Sequence, residues 1–145
     1  MGNRRRSREL AMQALFQIDM TQDHSREAVE SFCKHFRVPK NAKPFFLRLV
    51  EGVKEFKHEI DPLIKSFSEN WKISRMSRAD RNIMRVAVYE LLYCDDIPPK
   101  VSINEAIDIG KKFGTEDSGA FINGILDSIR ISLEKENRLR SKSGQ

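Results

Sequence analysis

Apolar side chains return every three or four positions along almost the whole chain, and no segment sustains the every-second-residue alternation of a half-buried strand. A chain with that period folds into helices, each burying one stripe. From about Arg6 to Met20, the residues Leu10, Ala11, Ala14, Leu15 and Ile18 share one helical face. A second helix is expected after Ser25, with Val29, Phe32, Cys33 and Phe36 at i, i+3, i+4 and i+7, ending before Pro39. Pro44 suits the first turn of a third, where its missing N–H costs nothing. Phe46, Leu49, Val50, Val53 and Ile60 continue that stripe. At Asp61-Pro62 the pattern either kinks or caps a new helix bearing Leu63, Ile64 and Phe67.

Beyond a polar break near Asn70, Ser77 and Asp80 resemble a capping box opening a helix to about Cys94, with Ala79, Ile83, Val86, Ala87 and Leu91 inward. Asp95 to Pro99 reads as a turn. Ser102 and Glu105 read as a second capping box, and Gly114 as a left-handed terminator of that helix. The last helix follows Ser118 and carries Ile122, Ile125, Leu126, Ile129 and Leu133 in register. From Glu134 the chain is almost wholly polar. The expectation is an all-α fold: one compact domain of about seven helices over residues 1–134, and a polar, disordered tail over 135–145.

The same sequence excludes several functions. With 39 % hydrophobic and 32 % charged residues, the chain reads as a globular protein with a solvated surface. Cys33 and Cys94 are far apart and form no CxxC pair, so neither a disulfide framework nor a zinc site is expected. No apolar run approaches membrane-spanning length, and no signal peptide is read, which predicts a soluble, cytoplasmic protein. His24, His35 and His58 lie on separate segments without metal-ligand spacing, and there is no P-loop and no GxGxxG. No catalytic residues, metal or cofactor are therefore expected, and the chain is read as a non-enzyme.

The net charge of +5 favours an anionic partner. Arg4, Arg5, Arg6 and Arg8 crowd the start of the first helix, where the helix dipole is already positive. An external phosphate would offset that conflict; the competing reading is a solvated basic terminus. Phe16 falls opposite the core stripe, on the side of Arg5, Glu9 and Met12. Either it stacks on a base or it packs under another helix, and the two readings differ in its exposure.

The segments RRRSRELAMQALFQ from Arg4, SRADRNIMRVAVYEL from Ser77 and IPPKVSINEAIDIGKKFGTEDSGAFINGILD from Ile97 resemble the NusB family. The third is the most specific, because NEAI, KKFG, EDS and FINGILD keep the family's order and spacing; residues 21–70 match in helix pattern more than in residues. The resemblance implies two packed helical bundles that bind boxA RNA together with NusE, a ribosomal protein. The pair joins NusA, NusG and RNA polymerase so that transcription, notably of ribosomal RNA operons, passes terminators. Family members occur as monomers and as homodimers.

Carried over by position, the arginine motif is Arg4, Arg5, Arg6 and Arg8, and Phe16 stands where the family usually has Tyr. Phe67, Lys100, Asp117 and Phe121 correspond to further RNA-side positions, while Ala120 replaces a cation found in some members. Asp117 cannot attract phosphate; it can accept from a base amino group, orient a cation, or serve only as a helix-start charge. Asp80, Met84 and Arg85 align with the helix that faces NusE. Two other classes remain: a regulatory domain like the N-terminal domain of RNA cytosine methyltransferases, which needs a methyltransferase domain not read before Gln145, and a helical protein-interaction module.

Overall fold

The computed structural model describes residues 2–68 and 76–136. The polar break around Asn70 and nearly all of the tail expected over 135–145 lie outside these residues. Six helices are described: α1 (Gly2–Thr21), α2 (Arg26–His35), α3 (Lys43–Phe67), α4 (Arg78–Tyr93), α5 (Pro99–Phe113) and α6 (Ser118–Lys135). There is no strand among the described residues.

The helices pack as two groups, α1–α3 and α4–α6, joined because α4 touches α1 and α3 as well as α5 and α6. One continuous apolar core results, with Leu10, Phe46, Leu49, Ile60, Leu91, Leu126 and Ile129 fully buried. Each such side chain contributes about 1.5–3 kcal/mol by leaving water. Because neighbours surround α4, every residue from Asn82 to Leu91 is buried, not only the predicted stripe.

Ser77 caps its helix as expected, accepting from the backbone N–H of Asp80, and Ser25 caps α2 in the same way, accepting from that of Ala28. Asp80 does not complete the box; its carboxylate accepts from Ser118 Oγ at 3.1 Å and ties the start of α4 to the start of α6. The expected box at Ser102 is not formed. Pro99, which has no N–H to satisfy, begins α5 after the N-cap residue Pro98, leaving Ser102 inside the helix and buried. Gly114 is extended (φ −101°, ψ −153°), not left-handed. Glycine is needed there for space, because a Cβ would run into the Ser118 side chain.

The expected division at Asp61-Pro62 is also displaced. Pro62 lies inside α3, and the break falls at Phe56 (φ −106°, ψ 16°). Phe56 stacks on Tyr93 at 4.2 Å, and Gly52 lets the Tyr89 ring approach the α3 backbone. Six helices stand among the described residues where about seven are expected, because α3 continues through Pro62.

Candidate nucleic-acid interface

The arginines of α1 are not left for an outside anion to offset. Arg4 Nη2 lies 3.1 Å from Asp96 Oδ2. Arg5 grips Glu105 through two bonds of 2.6 and 2.7 Å and reaches Asp108 at 2.9 Å. Arg6 approaches Glu9 at 3.5 Å. Arg8 makes a bidentate pair with Glu90 at 2.8 and 2.9 Å, and Glu90 also accepts from Ser102 Oγ at 2.7 Å. Carboxylates of α4, α5 and the turn between them thus answer the dipole conflict that the sequence presents.

Exposure separates the four. The side chains of Arg4 and Arg6 are 47 % and 48 % accessible, Arg5 38 %, and Arg8 only 5 %. Arg8 was expected among the RNA contacts; its burial against an equally buried carboxylate makes it part of the framework that orients α1. Arg4 also sits over the Phe45 ring at 4.4 Å, and Arg48 joins it on Asp96. The Arg48 guanidinium, with Arg4 behind it, holds the Asp96 carboxyl down at about 2. Arg5 likewise holds the Glu105 carboxyl below the usual range.

Phe16 is half-buried and lies outside the apolar cluster that forms the core. Its expected companions fare differently: Met12 and Glu9 are buried, because α5 covers that side of α1. Lys112 from the end of α5 reaches Glu9 at 3.1 Å. Phe67 ends α3 half-buried against the core. Lys100 is exposed in the first turn of α5. Asp117 is exposed at the N-cap of α6 and makes no side-chain capping bond. Phe121, one turn further, is half-buried against the core.

Two cations were missed. Lys112 is 60 % accessible and sits 5.3 Å from the Phe113 ring centre, and the Lys111 stem lies over Gly119 in the first turn of α6. The KKFG element contained the signal, since adjacent helical residues point about 100° apart and two lysines in the last turn reach two different neighbours. Lys111 brings positive charge beside the segment in which Ala120 replaces a cation, while Lys112 turns toward α1.

Asp80, Met84 and Arg85 do not form the expected partner-facing surface. They are 8 %, 0 % and 5 % accessible, enclosed because α4 is the central helix. Arg85 is clamped by Asp61 at 2.8 and 2.9 Å and by Asn82 at 3.0 Å. Met84 belongs to the core. Among the described residues no cluster of His, Cys, Asp or Glu could hold a metal, and no helix is long and apolar enough to cross a membrane.

The NusB family profile matches residues 5–130. The transcription antitermination protein NusB of Desulfatibacillum aliphaticivorans is 56 % identical over 142 residues, covering 98 % of this chain and 99 % of the relative. That of Desulforapulum autotrophicum is 53 % identical over 90 % of this chain and 93 % of its own. In structure, T. maritima NusB superposes with a TM-score of 0.84 at 41 % identity, covering 98 % of this chain and 97 % of that one. A chain from a crystal structure of antitermination factors NusB and NusE in complex with double-stranded RNA gives a TM-score of 0.82 at 26 % identity, covering 91 % and 98 %. From the arginine-led first helix to the end of the last core stripe, this chain belongs to the NusB family.

Proposed function

We propose that the protein is a transcription antitermination factor that binds boxA-type single-stranded RNA together with NusE and promotes read-through of terminators, notably in ribosomal RNA operons. The observation that carries this reading is the accessible cation row of Arg4, Arg5 and Arg6 on a chain that matches antitermination relatives from end to end. Lys100, Lys111 and Lys112 extend the positive surface along α5. Phosphates displace Asp96 and Asp108 from Arg4 and Arg5, while the bidentate Glu90 pair keeps Arg8 in place as a strut. Phe16, Phe67 and Phe121 offer ring faces to unstacked bases, and Asp117 accepts from a base amino group.

The protein acts in the cytoplasm without a cofactor and without covalent chemistry, in a complex with NusA, NusG and RNA polymerase. The helical body to about residue 134 carries this activity, as a monomer or as a homodimer that hides the RNA surface. A relative matched over 99 % of its own length favours this reading over a regulatory domain of an RNA cytosine methyltransferase. In vitro transcription through a boxA element and a downstream terminator tests it. Read-through should rise when the protein joins NusE, NusA and NusG, and read-through equal with and without it would remove the proposal.

A further inference from the structure

The Phe32 and Phe46 rings, stacked at 5.7 Å, stand between α2 and α3 and act as a spacer. Beside them the two helices leave an open groove of about 710 Å³. Its floor is aliphatic: Val29 and Cys33 from α2, Val38 from the turn, and Leu47 from α3. Cys33, Val38 and Leu47 are only half-buried, so this floor still faces water. The rim carries Arg26, Lys34, Lys43 and Lys54 against Glu30 and Glu51, an excess of two positive charges.

We propose that this groove docks an acidic amphipathic helix of a partner protein. Charge complementarity selects an acidic occupant. The arginines of α1 all have carboxylate partners, whereas Arg26, Lys34 and Lys43 have no ion-pair partner among the described residues. Lys54 has only Glu51, at 3.7 Å. Floor chemistry chooses between the two anionic macromolecules. RNA needs rings on which bases stack, and no aromatic side chain lines the groove among the described residues. An aliphatic floor with charged edges suits a helix presenting leucines at i, i+3 or i+4, and i+7.

Dimensions agree. Lys43 and Lys54 stand on a regular stretch of α3 about 16 Å apart at 1.5 Å rise per residue, which is three turns of a docked helix. The occupant carries carboxylates near both ends of those turns and aliphatic side chains between them. None of the residues lining the groove is among those proposed to contact RNA.

The test uses the full chain and three synthetic peptides: a leucine-faced helix flanked by glutamates, the same helix with lysines for glutamates, and a scrambled acidic control. Cys33 is a built-in reporter, since Cys94 is fully buried. The acidic helix should bind in fluorescence anisotropy and slow alkylation of Cys33 by iodoacetamide, while the other two do neither. The double variant Lys34→Glu, Lys43→Glu, at two exposed positions, should lose roughly tenfold or more in affinity for the acidic helix and gain preference for the basic one. Equal binding of all three peptides, no binding at millimolar concentration, or protection of Cys33 by single-stranded RNA instead would overturn the proposal.

Discussion

At the scale of single residues, the four arginines are one cluster in sequence and two kinds of group in space. Breaking a buried charge pair leaves the other charge uncompensated, so Arg8→Ala should cost about 3–5 kcal/mol in chemical denaturation. Arg4→Ala, at an exposed pair, should cost under about 1 kcal/mol. Equal losses for both would refute this division. Asp108 holds Arg5 at 2.9 Å, and on the proposed reading a phosphate reaches Arg5 only by displacing it. Asp108→Asn should therefore tighten RNA binding by up to about fivefold, the equivalent of an exposed ion pair of 0.2–1 kcal/mol; weaker binding in a titration would show that Asp108 positions Arg5. The cluster itself was legible in the sequence. Its partners were not, because Glu90, Asp96, Glu105 and Asp108 lie some 80 to 100 residues away and only the packing of α1 on α4 and α5 brings them near.

At the scale of helices, local chemistry was readable where the chain decides locally. Ser25 and Ser77 announce their helices because a hydroxyl before a free N–H needs no tertiary help. Ser102 misled for the same reason: its spacing from Glu105 copies a capping box, but Glu90 and the arginines of α1 claim both side chains. The bend of α3 lies at Phe56, whose ring stacks on Tyr93 of another helix, and not at the proline that the sequence makes visible. Gly52 belongs to that stack, since a Cβ there would enter the Tyr89 ring. Gly52→Ala should destabilise the fold by about 1–3 kcal/mol through overpacking, despite its better helix propensity. A thermal melt showing increased stability would mean that Tyr89 moves aside at little cost. The partner-facing residues on α4 were misjudged because Arg85 and Asp80 look like surface residues until four neighbouring helices enclose them.

At the scale of the molecule, the all-α class followed from the apolar period alone, and its division into two groups from the family resemblance. The apolar period also marks the inward stripe of each helix, but not where a second face is covered, as Met12 and Glu9 show beneath α5. Ion pairs bind α1 to the second group, and their pH dependence has a definite sign. Asp96 falls from 3.8 to about 2 on folding, and Glu105 is lowered from 4.5, chiefly by their arginines. Their contribution is complete above the unfolded values and drains away as pH falls below them. Helicity followed by circular dichroism should thus hold above about pH 5 and weaken with acid, less steeply in Glu105→Gln; identical acid profiles would exclude Glu105 from that linkage. An RNA surface selective for boxA and completed by NusE is what the proposed function requires of this fold. Fluorescence anisotropy of a labelled boxA RNA and its scrambled counterpart, each with and without NusE, measures that selectivity. Preference for boxA should appear and strengthen when NusE is added; equal, weak binding of both RNAs, indifferent to NusE, would rule such a surface out.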